Sequence, residues 1–413
     1  MNILNINKYY QHTGGGDRFF MDSASILNAR GHDVIPYCLS YPGNLDSEYS
    51  DYFPEGISGS ELNGVGFAKK VKLFLNGIYS FDAKEGLSKI LMDIKPDVAH
   101  LHVLHYTMSP SIIDVLDKNN IPIVFSLHDY RIMCAGGYLY TNGGECRRCV
   151  TGNYYNALWF KCYHNSTLKS AMGVLGNYLY EFLKIYTKVD VFTVPHNGMR
   201  DILVEHGISP SKIFLLKNPL IFNYELESAG IGDYVLFFGN LSRQKGIYTF
   251  LNAAKMLPHI RFLICGRGIE LEEVNKICQS KIHNVHVDTS TRWGSGLENI
   301  IAKARIVISP SEWPTPLEYS TLEAMAMGKA VLASDIGGNR EVICPSQTGE
   351  LFRVGDHEDL VAKIETLFSD ESLCRSLGVN AQKYVRENFS EEIYYKDVLD
   401  VFSAAIRNRE SYS

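Results

Sequence analysis

The stretch Ile306-Val-Ile-Ser-Pro-Ser-Glu-Trp-Pro-Thr-Pro-Leu-Glu-Tyr-Ser-Thr-Leu-Glu-Ala-Met-Ala-Met-Gly-Lys-Ala-Val-Leu-Ala-Ser-Asp335 reads as a strand, a loop, a short helix and a second strand. Arg305 to Ser309 is largely apolar and β-branched, the pattern of a buried parallel strand. Pro310, Pro314 and Pro316 then bar regular structure. Tyr319 to Met327 has helical composition and stops at Gly328, a residue suited to a helix C-terminus. Lys329 to Ser334 resumes an apolar run. This alternation predicts an α/β fold. It sets the proline-rich loop at the carboxyl edge of a parallel sheet, where such folds hold ligands. Glu323 falls in the first turns of the helix, aimed back at that edge. Two readings of it stand. Its carboxylate can accept two hydrogen bonds from a vicinal diol such as a ribose. Alternatively, Ser320-Thr-Leu-Glu323 forms a capping box that only closes the helix start.

These residues resemble the donor-site signature of the family-four retaining glycosyltransferases, enzymes of the GT-B fold. That signature is a glutamate, seven residues, and a second glutamate opening Glu-Ala-Met-Ala. Here Glu323-Ala-Met-Ala-Met-Gly328 supplies the second glutamate, and Thr315 stands where the first would be. The resemblance implies that Glu323 holds the nucleotide ribose. Thr315 would meet the transferred sugar, with less electrostatic strength than a carboxylate. Leu317 and Glu318 join the implied donor-binding set.

The composition fits this class. A chain of 413 residues suits two domains of near-equal size. With 46% hydrophobic and 21% charged residues it is globular, and its formal net charge of -6 draws it as a whole to neither nucleic acid nor anionic lipid. No apolar run approaches the ~20 residues of a membrane span. Met1-Asn-Ile-Leu-Asn-Ile starts as a strand, with no expected signal peptide. Nine cysteines, an odd number with several in apolar runs, argue for reduced thiols and a cytoplasmic protein. The 25 tyrosines suit sugar-binding surfaces and ordinary amphipathic packing equally.

From the N-terminus, the strand Asn2 to Ile6 leads through a loop to a helix at Arg18 to Arg30, then to a strand at His32 to Tyr37. Gly14, Gly15 and Gly16 precede the helix. They form either a flexible turn or a place where backbone N–H groups meet an anion. They resemble the family's Gly-Gly loop, which assigns Gly15 and Gly16 to the donor. Tyr41 to Gly64 reads as a mobile excursion. The strand Ile121 to Leu127 delivers His128, Asp129 and Tyr130 to the sheet edge. In the family a histidine–aspartate pair sits there, facing sugar and acceptor, which makes His128 and Asp129 candidate catalytic residues. A histidine capping a neighbouring helix is the plainer reading. His100, His102 and His105 read as structural.

An insertion near 134–162 carries Cys134, Cys146, Cys149 and Cys162, with a central Cys-x-x-Cys. Four thiolates at such spacing suit a structural zinc ion, and four reduced thiols in a glycine-rich loop are the alternative. Leu168 to Lys188 is an amphipathic helix that packs on the core or touches a membrane surface.

The second half opens with Tyr234-Val-Leu-Phe-Phe-Gly-Asn-Leu-Ser-Arg-Gln-Lys-Gly246, a strand and a glycine turn with two cations. Arg243, Lys245 and backbone amides there suit a diphosphate. The family has arginine where Asn240 stands, so Arg243 is expected to take over its duty. Gly266, in Arg261-Phe-Leu-Ile-Cys-Gly-Arg-Gly268, would lie near the nucleotide base.

The expectation is a GT-B protein of two Rossmann-like domains facing one cleft. The first, 1–217, is acceptor-side; the second, 218–389, binds the nucleotide sugar; the helix of 390–413 returns to the first. The expected activity is retaining transfer from a nucleotide sugar to a glycan or lipid-linked hydroxyl in cell-surface polysaccharide synthesis. No cofactor is needed for catalysis, and contact with the inner membrane face fits such acceptors. Other GT-B activities, a phosphorylase or an epimerase, or a catalytically silent partner that binds nucleotide sugar or glycan, are the rival readings.

Overall fold

A computed structural model of the chain describes residues 1–11, 13–56, 66, 74–104, 108–163, 165–221 and 232–411. The chain divides into two compact units. One comprises Met1–Gly137, Arg147–Pro219 and Glu391–Ser413; the other comprises Tyr138–Cys146 and Leu220–Ser390. His105, and the part of the Tyr41–Gly64 stretch between 57 and 64, lie outside the described residues.

The first unit is built on strands β1 (Asn2–Ile6), β2 (Asp33–Tyr37), β3 (Val98–Leu101) and β4 (Ile123–Ser126). After the hairpin β5 (Tyr140–Thr141) and β6 (Gly144–Glu145), which belongs to the other unit, β7 (Val191–Val194) and β8 (Ile213–Leu215) complete the sheet. Its order is β2-β1-β3-β4-β7-β8, every pairing parallel. Strands β3, β4 and β7 are buried at every position, which explains their mainly apolar or small residues, with His100 the buried polar exception in β3. The strand order reverses between β1 and β3, so the loops leaving their carboxyl ends flank a topological switch point.

The C-terminal helix Glu391–Glu410 packs on β3, β4, β7 and the helix Gly15–Ala29. Arg409 anchors it: its guanidinium donates to Asp190 Oδ2 at 2.8 Å, Asp117 Oδ1 at 2.7 Å and the Lys188 carbonyl at 3.0 Å. Near its other end Tyr394 donates to Ser23 Oγ at 2.6 Å. The helix Asn197–Glu205 begins where His196 Nδ1 accepts the Met199 N–H and caps it.

The second unit repeats the plan with β9 (Tyr234–Asn240), β10 (Arg261–Arg267), β11 (Val285–Asp288), β12 (Ile306–Ser309), β13 (Ala330–Ser334) and β14 (Glu350–Phe352). The order β11-β10-β9-β12-β13-β14 is again all parallel. In its core Phe250 meets Phe262 edge to face and Phe237 at a tilt. Here the order reverses between β9 and β12. The loop after β9 carries Arg243 and Lys245, and the loop after β12 carries Thr315 to Glu318. Two segments about seventy residues apart in the chain are thus brought to one sheet edge.

Candidate active site

The β9 loop turns at Gly246, whose φ of 71° is left-handed; a Cβ there would fall 1.7 Å from the Pro310 carbonyl oxygen. Only glycine permits both the conformation and the approach, and that approach holds the β9 loop against the β12 loop. The Glu312 N–H donates to the Gln244 carbonyl at 2.9 Å, a second tie between the two loops.

At this junction Lys245 Nζ lies 2.8 Å from Glu318 Oε1. Glu318 is only 7% exposed. Its Oε1 also accepts from Ser311, and its Oε2 accepts from Ser309 at 2.9 Å and Ser320 at 3.4 Å. Burial acts to raise the Glu318 carboxyl, but Lys245 and the Ser311 and Ser309 hydroxyls outweigh it and hold it below its ordinary value. A carboxylate has about four lone-pair positions. All are taken within the chain, one of them by Lys245.

Arg243 is paired differently. Its Nε lies 3.2 Å from Glu270 Oε1, and its guanidinium stands over the Tyr248 ring, which itself donates to Glu270. The side chain is 68% exposed, so this ion pair is weakly held. Asn240 is exposed at the end of β9, and its Cα partner across the ladder is Arg267. Arg267 is exposed as well and donates to the Thr289 carbonyl at 2.8 Å. Its place after Gly266, at a strand's carboxyl end, is the signal in the sequence for this further cation. Gly266 pairs with Gly239, where a Cβ would meet the Gly239 carbonyl oxygen at 1.9 Å.

Thr315 and Leu317 are buried in the β12 loop, with the Thr315 carbonyl accepting from Gly338 N–H at 2.8 Å. The helix that follows spans Tyr319–Ala326 and buries Glu323 in its second turn. Its N-cap is Glu318, in extended conformation. This corrects the capping-box alternative: Ser320 lies inside the first turn, and its hydroxyl turns to Glu318 instead of a helix N–H. Glu323 is therefore not the acid of such a box.

In the first unit, Gly15 and Gly16 open the helix Gly15–Ala29. Its first-turn acid Asp17 accepts from Asn7 Nδ2 at 2.8 Å and from Thr13. Gly16 lies beside His128; a Cβ there would come 3.4 Å from the His128 Cβ and Cγ. Asp129 accepts from the Arg131 N–H at 3.0 Å and its Nε at 3.1 Å, a turn closed on its own neighbour.

His128 is held by a histidine read as purely structural. Asn5 Nδ2 donates to the Phe20 carbonyl at 3.4 Å, which turns its Oδ1 to His102 Nε2 at 2.8 Å. Burial, then the charges of His100 and His128, push His102 well below its ordinary value, so it is neutral. With Nε2–H donating to Asn5, His102 Nδ1 is the acceptor for His128 Nε2–H at 3.1 Å. The two rings lie 5.4 Å apart and nearly parallel. In neutral His128 the lone pair is then on Nδ1.

The zinc site expected at the four cysteines finds no support in the structure. Cys149 is buried in a small cluster with Ala135, Tyr154, Ala157 and Val174, and Cys162 packs against it. Among the described residues no group of three or more His, Cys, Asp and Glu side chains is placed to hold a metal ion. The insertion instead has its own apolar core, and part of it, Tyr138–Cys146, is built into the second unit.

Comparison with known proteins gives two family matches. Residues 13–220 match the model described as Glycosyltransferase Family 4, half of the chain, and residues 225–384 match the model described as Glycosyl transferases group 1. An uncharacterized 42.6 kDa protein in the cps region of Klebsiella pneumoniae is 24% identical over 83% of this chain and 87% of its own length. N-acetyl-alpha-D-glucosaminyl L-malate synthase of Bacillus anthracis is 22% identical over 94% of this chain and 96% of its own. In fold, S. aureus TarM, solved with Fondaparinux, alpha-GlcNAc-glycerol and UDP, superposes with a TM-score of 0.68 over 97% of this chain and 99% of its own at 13% identity.

Proposed function

The chain belongs to glycosyltransferase family 4 and is a glycosyltransferase of the GT-B fold; from that premise we propose that it moves a sugar, with retention, from a nucleoside diphosphate sugar to a hydroxyl of a glycan or lipid-linked acceptor. The observation that carries this reading is the meeting of Lys245 with the β12 loop at the switch point of the second sheet, where that loop leads into the helix that carries Glu323. Lys245, Arg243 and the Asn240 amide take the diphosphate. Glu323 takes the ribose, Gly266 lies by the base, and Thr315 and Leu317 meet the sugar. Glu318 positions Lys245. In the first unit, Gly15 and Gly16 are assigned to the donor, and His128 and Asp129 to sugar and acceptor.

In the step itself the bond from the sugar anomeric carbon to the β-phosphate oxygen breaks, and a bond to the acceptor oxygen forms on the same face. The acceptor proton passes to the departing phosphate oxygen. Cations already in place stabilise the charge that develops on that diphosphate. UDP fits the role of carrier, since it is the nucleotide bound by the fold relative TarM.

Synthesis of a cell-surface polysaccharide in the cytoplasm, at the inner membrane face, is the proposed setting. The helix Thr167–Phe182 supports it: Ser170, Val174 and Tyr180 are buried, while Leu168, Leu175 and Phe182, itself 82% exposed, are outside. Trp159, on the adjoining short helix, is 85% exposed, and Lys161, Lys169 and Lys184 lie close by in sequence and exposed. Apolar side chains rimmed by cations suit an anionic bilayer surface.

A thermal-shift screen of nucleotide sugars tests the donor. A true donor raises the melting temperature because it binds only the folded chain. The anomeric configuration of the product, read by NMR, then tests retention. An inverted product would discard the retaining assignment while leaving the donor site intact.

A further inference from the structure

The hairpin β5–β6 interrupts the first unit, yet Tyr138–Cys146 clusters with the second. Two of its tyrosines meet the start of the β12 loop. Tyr140 Oη donates to Glu312 Oε2 at 2.8 Å, and the other oxygen of that carboxylate accepts from Thr249 Oγ1 at 2.7 Å. Glu312 is thereby braced between the hairpin and the helix Ile247–Met256, which begins directly after the Lys245 loop. The next residue, Trp313, is 5% exposed, and Tyr138 packs edge-on against it with ring centroids 5.0 Å apart. Trp313 in turn lies under the Lys245 ammonium, 5.4 Å from ring centroid to Nζ. Lys245 therefore has two supports: Glu318 at its tip and the Trp313 ring beneath it. The hairpin fixes the second.

We infer that the hairpin Tyr138–Cys146 is a built-in part of the donor site, with Tyr140 and Tyr138 acting as positioning residues for Lys245. The inference rests on the reading of Lys245 as the diphosphate-binding cation. Its chemical content is specific. A lysine ammonium on a flexible stem finds phosphate oxygens well only when its path is restricted. Here an aromatic face held by Tyr138, and a loop held by Tyr140 through Glu312, restrict it. The cysteine-flanked insertion would then tune affinity for the leaving group.

The test uses the full chain and nucleotide binding by calorimetry, with UDP, GDP, ADP and CDP as probes, so no acceptor is needed. The wild-type chain should bind one of these nucleotides, and Lys245→Ala should weaken that binding most. Tyr140→Phe, which removes one hydrogen bond to a carboxylate and keeps the ring, should weaken it roughly tenfold at an unchanged melting temperature. Tyr138→Leu should act in the same direction. In a Lys245→Ala background neither change should weaken binding further, because both act through the lysine. If Tyr140→Phe and Tyr138→Leu bind like wild type while Lys245→Ala does not, the inference is overturned and the donor site stands. Equal losses with and without Lys245 would also overturn it, since they report a general loosening of the fold. Failure of the wild-type chain to bind any of the four nucleotides would strike the donor-site reading itself, and the inference with it.

Discussion

Lys245 Nζ and Glu318 Oε1 lie 2.8 Å apart, joining the loop after β9 to the loop after β12. The carboxylate is buried and the ammonium partly open, so the pair presents a cation at the sheet edge with its position set from behind. Removing the lysine should cost turnover on the order of 100-fold, as for loss of one transition-state donor. Glu318→Gln keeps the shape but not the charge, and should weaken donor binding roughly tenfold with a smaller effect on turnover. Equal turnover in Lys245→Ala and wild type would remove the lysine from the chemistry.

Arg243 is expected to swing from Glu270 to the diphosphate, because an exposed ion pair holds it with only ~0–1 kcal/mol. Arg243→Ala should then lower turnover by a factor similar to Lys245→Ala, and Asn240→Arg should restore part of it. Full activity in Arg243→Ala would leave the leaving group to Lys245, Arg267 and backbone amides.

Glu323→Gln should weaken binding of the nucleotide by roughly 1.5–3 kcal/mol, the scale of a hydrogen bond to a charged group. No cap is lost, since Glu323 lies in the second turn and the N-cap position is Glu318. Calorimetry and a melting curve separate the two effects. Unaltered affinity with a lowered melting temperature would leave Glu323 a packing residue.

His100 and His102 make the first unit acid-sensitive. Burial is the main cause in both: it brings His100 down to about 3 and His102 well below its ordinary value. Above pH 6.5 neither state of the chain binds these protons and the stability is complete. As pH falls through 6.5 the unfolded chain takes them up and the native chain does not, so stability is lost toward the folded-state values. At about 1.4 kcal/mol per pH unit for each ring, denaturant unfolding at pH 5 should show roughly 2–4 kcal/mol less stability than at pH 7. In His102→Gln, which keeps a donor for Asn5, the slope should be about halved. An unchanged slope would mean that the native chain accommodates the protonated ring.

The exposed apolar stripe predicts sedimentation with vesicles containing phosphatidylglycerol, weakened by salt, and little with phosphatidylcholine alone. Trp159→Ser with Phe182→Ser should abolish it without altering nucleotide affinity. Equal recovery on both vesicle types, or on neither, would rule out an anionic bilayer as the partner of this face.

Local pattern determined much of this protein. The run from Ile306 to Asp335 announces strand, loop, helix and strand because burial of a parallel strand and the block imposed by three prolines are properties of neighbouring residues. The same holds for Arg243, Lys245 and Gly246 after β9, and for the GT-B expectation that grew from Glu323-Ala-Met-Ala. Tertiary structure decided what those side chains hold. Glu318 meets Lys245 across 73 positions, and His102 meets Asn5 across 97, pairings that depend on strand order and not on spacing. The helix opens at Tyr319, as its composition suggested, but the Ser320 hydroxyl that a capping box would have used turns to the buried Glu318 carboxylate. Cysteine spacing suggested a metal, but spacing sets only which thiols can meet; the folded insertion packs Cys149 and Cys162 with Tyr154 and Ala157, and among the described residues no metal-holding group of three or more is placed. Tyr140 reaches Glu312 across 172 positions because the hairpin folds with the opposite unit, a choice no local property of the insertion encodes.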